Sequence, residues 1–361
     1  MKVLGLMSGT SADGVDLVLA ELAGRPPALE HRVLEHRYQP YPEDLGVRVR
    51  LAQQNRQTST RDLGLLHADL GRFFAAAAAP FKGRAELAAL AGQTVWHEPP
   101  SFTWQLGEAS WLAEALGAPV VHDFRPADLA AGGEGAPLVP YPDLLLYGEK
   151  GVRRSIHNIG GISNLTYLPG RDAAGVVAFD TGPGNCLIDE AAALLGEPYD
   201  PEGSIAASGR VDEALVEAWL DHAYLRQPPP KSTGREVWKL ERLAFVGRLR
   251  GADLLATVTA FTARTIVNAY RDFVLPRGLD EVWVAGGGVK NKTLMQGIRD
   301  GLPVPVKSFE EVGRDPMVRE ALAFAVLGYL RFLNLPNVLP QTTGARRAAV
   351  AGRVTLPARA V

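Results

Sequence analysis

The sequence predicts an α/β fold with two domains, and three observations lead to this prediction. Apolar runs of strand length alternate with longer apolar patterns of helical spacing, and Gly, Pro and Asp separate them. The chain has 361 residues, which is more than one average domain of roughly 150 residues. The opening pattern of strand, glycine-containing polar turn and strand begins again near residue 154. Two unrelated hairpins would look the same, so this pair alone leaves both interpretations open.

The first part of the chain predicts a hairpin followed by alternating helices and strands. Residues 62–79 are expected to be helical because leucines and phenylalanines recur there on one side of a helix. The elements expected before residue 130 are strands 2–7 and 16–22, helix 62–79, strand 86–91, helix 108–117 and strand 119–121.

A glycine-rich stretch at residues 131–137 interrupts this pattern and cannot form a regular element. Its composition allows either an interdomain hinge or a plain surface loop. The pattern then begins again. The elements expected after this stretch are strands 154–158, 164–168 and 176–179, helices 187–195 and 252–273, strand 281–285, a helix through Leu294 and helix 317–333.

Composition and charge argue against several classes of protein. Lys plus Arg number 38 and Asp plus Glu number 40, whereas a general nucleic-acid-binding protein needs a strongly basic domain. Cys186 is the single cysteine, so no intrachain disulfide can form, and we expect an inert, buried thiol. No window approaches 18 consecutive apolar residues, and no signal peptide is recognisable. We therefore expect a cytoplasmic protein that binds neither membranes nor nucleic acid.

Three glycine-rich turns could bind phosphate through backbone N–H groups, because glycine lets a ligand approach the chain closely. They lie at residues 8–14, 158–164 and 285–291, each after an apolar strand. The third turn could equally face an adenosine, and any one of them alone is more often structural. The sequence contains no P-loop, no Rossmann fingerprint and none of the protein-kinase signatures.

Asp180 is a candidate catalytic residue of a different kind. It follows strand 176–179 and precedes a Gly-Pro-Gly turn, where α/β proteins build ligand sites. A carboxylate held there can act as a general base toward water or a hydroxyl group. An Asp at this point could instead cap helix 187–195, and the residues alone leave both possibilities open.

A second polar cluster follows two short apolar strands in the first part of the chain. Arg125 could form a bidentate pair with a carboxylate of a substrate, or a structural salt bridge to Asp123 or Asp128. His97 and His122 lack the spacing of metal ligands, so the sequence predicts no protein metal site.

Taken together, these motifs resemble the anhydro-N-acetylmuramic acid kinases of bacterial cell-wall recycling. The matches run from residue 7 to residue 345 and cover essentially the whole chain, and their number and order make chance agreement very unlikely. The matching stretches are residues 7–16, 92–97, 123–125, 132–140, 158–165, 180–185, 231–236, 286–288, 320–325 and 343–345.

The resemblance implies two ribonuclease-H-like lobes with ATP in the cleft between them, as in actin, hexokinase and the heat-shock chaperone ATPases. Residues 1–128 plus 315–361 would form the first lobe, with one phosphate hairpin and the sugar pocket. Residues 129–314 would form the second lobe, with the other phosphate hairpin, the catalytic Asp and the adenosine motif. The repeated hairpin then has a reason, because each lobe supplies one.

The resemblance also implies a reaction and its residues. The family opens the 1,6-anhydro bridge of anhydro-N-acetylmuramic acid with water and phosphorylates O6 with ATP and Mg²⁺, giving N-acetylmuramic acid 6-phosphate and ADP. Asp180 matches the catalytic base, and a homodimer is implied. The residues that match the ATP site are Gly9, Thr10, Ser11, Ala12, Asp13, Gly14, Val15, Asp16, Gly160, Gly161, Asn164, Gly286, Gly287 and Gly288. The residues that match the sugar pocket are Gln93, Thr94, His97, Arg125 and Glu320.

The chain departs from the family pattern at two places. Residues 289–292 read Val-Lys-Asn-Lys where the family often has Asn-Pro, and residues 314–316 are also altered, just before Glu320. A non-catalytic ATP-binding module and a kinase for a free sugar are the alternatives. A binding module needs neither a base such as Asp180 nor a sugar pocket around Arg125, and a free-sugar kinase needs no water.

Overall fold

A computed structural model describes residues 1–9, 11–56 and 59–358 of the chain. The chain divides into two compact units, which we call unit 1 (Met1–Tyr147 with Met317–Val361) and unit 2 (Gly148–Pro316). The boundaries lie at 147/148 and 316/317, where the resemblance implied 128/129 and 314/315. The functions expected for each lobe stay predictions.

Unit 1 contains a mixed sheet with the strand order β12-β6-β4-β1-β2-β3, and β5 pairs with β4. Strand β1 runs antiparallel to β2 and parallel to β4, and β4 runs parallel to β6. The strands of unit 1 are β1 (Lys2–Ser8), β2 (Gly14–Arg25), β3 (Ala28–Pro40), β4 (Leu87–Glu98), β5 (Phe102–Leu106), β6 (Val120–His122) and β12 (Arg353–Thr355).

The helices of unit 1 cover this sheet, and one of them sets the first boundary. They are α1 (Glu43–Gln53), α2 (Thr60–Ala78), α3 (Ala109–Leu116), α4 (Arg125–Ala130), α5 (Pro140–Tyr147), α12 (Arg319–Phe332) and α13 (Pro340–Thr343). Helix α5 packs against β3 and α12. Asp143 of α5 forms a buried ion pair with Arg319 of α12, with Arg319 Nε 3.2 Å from Asp143 Oδ1. These contacts keep residues 129–147 in unit 1.

Unit 2 contains a sheet with the strand order β11-β10-β7-β8-β9. Its strands are β7 (Arg153–Ile159), β8 (Ile162–Pro169), β9 (Val177–Pro183), β10 (Glu281–Ala285) and β11 (Val306–Ser308). Its helices are α6 (Cys186–Ala193), α7 (Ser204–Ser208), α8 (Glu213–Leu220), α9 (Ala223–Arg226), α10 (Gly251–Ala269) and α11 (Lys292–Gly301). Helix α10 lies in the middle of the apolar core, where Val258, Phe261 and Ile266 are fully buried.

The two units repeat one arrangement of strands. In unit 1 an antiparallel set β1-β2-β3 is extended by β4 and β6, both parallel to β1. In unit 2 the antiparallel set β7-β8-β9 is extended in the same way by β10 and β11. The repeated hairpin in the sequence therefore marks a repeated sheet, and the predicted α/β fold with two related lobes is confirmed.

Several elements differ from those expected from the sequence, and strands β3 and β5 and helix α1 were not expected at all. Strand β9 continues to Pro183, because Asp180, Gly182 and Pro183 keep pairing with β8. Helix α10 ends at Ala269 and is followed by a π-helical turn to Val274. The glycine-rich stretch 131–137 lies inside unit 1, so it is a loop and not the hinge between units.

The side chain of Asp128 holds this loop from within. It accepts hydrogen bonds from the Gly135 N–H at 2.8 Å and from the Thr343 hydroxyl at 2.8 Å, and it is fully buried. Within the part of the chain that the structure describes, no helix has the length and apolar character needed to span a membrane.

We predict that Gly5→Ala lowers the urea midpoint of unfolding, whereas Gly64→Ala does not. Helix α12 packs so closely on β1 that a Cβ on Gly5 would overlap the carbonyl oxygen of Ala321, and overpacking of this kind costs about 1–3 kcal/mol. Gly64 lies exposed in α2 with no atom within 4 Å of a Cβ, where Ala is favoured by about 0.5–1 kcal/mol. Equal midpoints for both variants would contradict the close packing of α12 on β1.

Candidate functional site

The turn after β1 is the first predicted phosphate site, and only part of it exposes groups to a ligand. Thr10 lies outside the described residues. Gly9 has open space where a Cβ would be, with only Ser11 atoms within 4 Å. The side chains of Ala12 and Val15 are fully buried in the core. Any contact of these two residues with a nucleotide would therefore involve the backbone.

The remaining residues of this motif have partners within unit 1. The Ser11 hydroxyl donates to Asp13 Oδ1 at 2.8 Å. Gly14 lies in β2, where a Cβ would overlap the backbone of the neighbouring strand β3, so this glycine serves strand packing. Asp16 Oδ1 lies 2.8 Å from His36 Nε2.

Gln93 holds the Gly9 turn, the first predicted phosphate site, through its side-chain amide. Its side chain is fully buried, and Oε1 accepts hydrogen bonds from the Ser8 hydroxyl at 2.8 Å and the Tyr41 hydroxyl at 3.0 Å. Its Nε2 donates to the Gly9 carbonyl at 3.1 Å. The resemblance assigns Gln93 to the sugar pocket, but these contacts also make it a support of the Gly9 turn. No local pattern predicts the contribution of Tyr41, which lies 52 residues before Gln93 along the chain.

Thr94 and His97 are joined by two residues of β5. Gln105 Nε2 donates to Thr94 Oγ1 at 3.3 Å and to Thr103 Oγ1 at 2.8 Å. Thr103 Oγ1 in turn lies 3.0 Å from His97 Nδ1. The β4–β5 pairing therefore holds both of these predicted sugar-binding side chains in one hydrogen-bonded network. Neither Gln105 nor Thr103 was a candidate from the sequence.

Arg125 does not form the salt bridge that the sequence left open. Asp123 pairs with Arg353 at 3.1 Å, and Asp128 holds the 131–137 loop. Among the described residues Arg125 has no ion pair within 4 Å, and its NH1 donates to the Gly135 carbonyl at 3.0 Å. Burial lowers the pKa of Arg125, while the nearby carboxyl of Glu320 raises it.

Glu320 lies at the start of α12 within a cluster of charged groups. Burial raises the pKa of its carboxyl, and the negative charges of Asp143 and Asp16 act in the same direction. The positive charges of Arg319 and Arg125 oppose this shift. The altered loop at residues 314–316 therefore does not remove Glu320 from Arg125, and unit 1 brings Thr94, His97, Arg125 and Glu320 into one region.

In unit 2 the hairpin between β7 and β8 is the second predicted phosphate site. The backbone N–H groups of Asn185 and Cys186 donate to the carbonyls of Gly160 and Gly161 at 2.7 and 3.1 Å. A Cβ on Gly184 would overlap the Gly160 carbonyl, so the Gly-Pro-Gly turn packs directly on this hairpin. Asn164 lies in β8, paired with Asp180 of β9.

In the third glycine-rich turn, Gly287 is more open than its neighbours Gly286 and Gly288. Gly287 has only Asn185 Nδ2, at 3.6 Å, near the position of a Cβ. Gly286 (φ 89°) and Gly288 pack against the backbone and side chain of Ile159. This turn follows β10, as the sequence predicts, and it lies beside the end of β7.

Asp180 lies within β9 and not at its end, and it does not cap the next helix. Asn185 precedes α6, and that helix has no side-chain cap. Instead, Asp180 Oδ2 accepts a hydrogen bond from the Thr233 N–H at 2.9 Å. The Asp180 N–H donates to the Lys231 carbonyl at 3.1 Å, and the Asp180 carbonyl accepts from the Tyr224 hydroxyl at 2.7 Å. The carboxylate is therefore fixed by a segment 50 residues further along the chain.

Lys231 anchors that segment by its side chain. Its ammonium lies 4.9 Å from the ring centroids of Tyr224 and Phe273 and 5.7 Å from that of Phe179. It also donates to the carbonyls of Tyr224 and Leu225, at 3.2 and 3.0 Å. Burial lowers the pKa of Lys231 to about 8. From the sequence alone, residues 231–236 stand out only as one of the stretches that match the family, because the aromatic rings around Lys231 come from distant positions.

Two expectations about reactive groups can be compared with the geometry. Cys186 is half-buried and not fully buried as expected, but partial burial still raises the pKa of its thiol to about 11, which favours an inert thiol. Within the described ranges, no group of three His, Cys, Asp or Glu side chains is arranged to hold a metal ion.

We predict that the His97 ring titrates near pH 4. Burial, with the positive charge of Arg125, lowers the pKa of His97 to about 4, whereas an unfolded chain protonates it near pH 6.5. The folded state should therefore lose stability as the pH falls from about 6.5 to about 4, because only the unfolded chain binds the proton there. NMR titration of the ring signals, assigned with His97→Gln, measures the midpoint. A midpoint near 6.5 would contradict the predicted environment.

Comparison with known proteins agrees with the motifs along the whole chain. The family model described as anhydro-N-acetylmuramic acid kinase matches residues 1–357. A curated protein of that name from Cyanothece sp. is 42% identical over 98% of this chain and 99% of its own length. Another from Prochlorococcus marinus is 44% identical over 98% of both chains.

The ROK hexokinase from Thermus thermophilus is 13% identical over 92% of this chain and 100% of its own, with a TM-score of 0.42. The fold described above rests on the sheets themselves, and the family assignment rests on the sequence matches. The chain belongs to the anhydro-N-acetylmuramic acid kinase family.

Proposed function

We propose that this chain opens the 1,6-anhydro bridge of anhydro-N-acetylmuramic acid with water and phosphorylates O6 with ATP. The products are N-acetylmuramic acid 6-phosphate and ADP, and the reaction serves peptidoglycan recycling. Membership of the kinase family supports this proposal for the whole chain. A homodimer stays a prediction that rests on the resemblance, and a cytoplasmic location stays a prediction that rests on the sequence composition.

The observation that carries the chemistry is the hydrogen bond from the Thr233 N–H to Asp180 Oδ2. It fixes the orientation of a half-buried carboxylate inside a strand, and a general base needs such fixed geometry. Because the backbone of Asp180 is also bonded on both sides, by Lys231 and Tyr224, the carboxylate has a rigid support. We propose that Asp180 takes the proton from the attacking water.

The proposed reaction couples hydrolysis of the anhydro bridge to phosphoryl transfer. Water forms a bond to C1 of the sugar, and one of its protons goes to Asp180. The bond between C1 and O6 breaks, and its electron pair goes to O6, which becomes the nucleophile. O6 forms a bond to the γ-phosphorus while the bond to the ADP oxygen breaks, and the proton on Asp180 returns to solvent. Phosphoryl transfer of this kind needs positioning and charge neutralisation more than covalent chemistry by the protein.

Open glycines that fit contacts with ATP occur in unit 1 and, separately, in unit 2. Gly9, Gly160 and Gly287 each have only one or two neighbouring residues within 4 Å of a Cβ position. Bare backbone of this kind can approach a phosphate or a nucleoside closely. We infer that Mg²⁺ is bound with the phosphates, because this ion usually keeps several waters and needs few protein ligands. When bound, it would neutralise charge on the phosphates, and we assign it no protein ligand.

The charges around Arg125 fit an anionic sugar. The lactyl carboxylate of N-acetylmuramic acid can pair with a guanidinium that has no other ion pair among the described residues. Burial raises the pKa of Glu320, which limits its repulsion of a substrate carboxylate. We propose that Arg125, Glu320, Thr94 and His97 bind the sugar, with Gln93 supporting the turn beside it.

The test is incubation with ATP and either anhydro-N-acetylmuramic acid or free N-acetylmuramic acid, with the phosphosugar detected by mass spectrometry. We expect the same product mass from the anhydro sugar plus water as from phosphorylation of the free sugar. We expect only the anhydro sugar to be a good substrate. Phosphorylation of the free sugar alone would reject the anhydro assignment, and binding of ATP without any product would favour the non-catalytic module.

Asp180→Asn provides the internal control for this assay. The variant should fold and bind nucleotide, but lose about 10²–10⁴-fold in turnover, the usual contribution of a general base. Asp300→Asn is the matched variant, because Asp300 is an exposed carboxylate on α11 of the same unit. It should retain full turnover. Similar turnover in both variants would remove Asp180 from the proposed role.

A further inference from the structure

Residues 231–236 support Asp180 through Thr233 and Lys231, but the resemblance gives Arg235 of this motif no role. We propose that Arg235 in this segment binds the γ-phosphoryl group of ATP at the Gly160-Gly161 hairpin and neutralises its charge during transfer. The proposal rests on the proposed kinase function and assigns a further catalytic residue to it.

The first support is the position of the Arg235 side chain. A Cβ on Gly161 would overlap Nε, Cζ and NH2 of Arg235, so the guanidinium lies directly on the face of this glycine. Gly160, the adjacent residue, is open at its Cβ position apart from single atoms of Ile162 and Asn158, beyond 3.5 Å. A positive charge thus lies next to an exposed backbone turn.

The second support is that the backbone around Arg235 is anchored on both sides. Before it, the Thr233 N–H is bonded to Asp180, and Lys231 is held among three aromatic rings. After it, the Val237 N–H donates to the Gly234 carbonyl at 3.1 Å, and Trp238 Nε1 donates to Thr233 Oγ1 at 3.0 Å. These bonds restrict where the Arg235 side chain can reach.

The third support is the absence of a structural partner for this charge. Arg153, Arg154 and Arg264 of unit 2 each form ion pairs with carboxylates of their own unit. Arg235 is exposed and, in the described part of the chain, has neither an ion pair within 4 Å nor a side-chain hydrogen bond.

The electric field of Arg235 also reaches the helix that follows the Gly-Pro-Gly turn. Its charge lowers the pKa of Asp189 and of Cys186, in opposition to the larger effect of burial, which raises both. A guanidinium presents a rigid fork of donors that matches phosphate oxygens. Because the net charge of the chain is only −2, ATP cannot rely on a broad basic surface, and single placed cations must supply the attraction.

The experiment compares Arg235→Ala and Arg235→Gln with Arg242→Ala, a matched variant of an exposed arginine in the same unit. Calorimetry measures the Kd of a non-hydrolysable ATP analogue and of ADP, and steady-state kinetics measures kcat and the KM of each substrate. We expect both Arg235 variants to raise the Kd of the analogue by about tenfold or more, with little change in the Kd of ADP. We expect kcat to fall by about 10²–10³-fold, as when one donor to a transition-state charge is removed.

Three results would overturn the proposal. The first is that both Arg235 variants have the same Kd for the analogue and the same kcat as Arg242→Ala. Another is an equal rise in the Kd of ADP and of the analogue, which would place Arg235 away from the γ-phosphoryl group. The third is a raised KM for the sugar alone, which would make Arg235 a sugar ligand. The binding arm needs no sugar turnover, so it tests Arg235 even if the unmodified chain fails to phosphorylate the anhydro sugar.

Discussion

The hydrogen bond from the Thr233 N–H to Asp180 Oδ2 is the constraint on which the proposed chemistry depends. It ties the segment 231–236 to the middle of β9 and contributes to the orientation of the Asp180 carboxylate. Lys231 keeps the segment in place, because its ammonium is enclosed by aromatic rings and bonded to two carbonyls. The same segment carries Arg235 to the glycine hairpin. One short stretch therefore supports both the base and, in our proposal, the phosphoryl group.

The chain handles two anionic substrates with very little net charge. Backbone N–H groups and open glycines can bind phosphate without adding cations. Two arginines, Arg319 and Arg125, differ in their surroundings. Arg319 is paired with Asp143 in the core and is structural. Arg125 stands beside Glu320, and burial favours the neutral carboxyl there. Gln93 joins the Gly9 turn to Ser8 and Tyr41, so the shape of the first phosphate turn depends on a buried amide.

Patterns of apolar and glycine residues along the chain predict those elements whose structure depends on neighbouring residues. The β1–β2 and β7–β8 hairpins follow from short apolar runs around glycine turns, and their repeat announced the repeated sheet. Strand β3 was missed because it lies at the sheet edge and carries many charged residues, which hide its period. The strand through Asp180 was cut short because Thr-Gly-Pro-Gly looks like a turn. The supports of the site, Thr233, Lys231, Gln105 and Tyr41, arise from contacts between distant residues, which no local pattern contains.

The most direct measurement is the single-turnover rate of bridge opening in a chain whose Thr233 amide is replaced by an ester. The α-hydroxy analogue of threonine deletes the N–H donor and keeps the side chain, including the acceptor for Trp238. The account predicts a rate lower by about 10- to 100-fold, with the affinity for an ATP analogue unchanged, relative to the unmodified chain made by the same route. A rate within about twofold of that chain would contradict the claim that this bond orients the base.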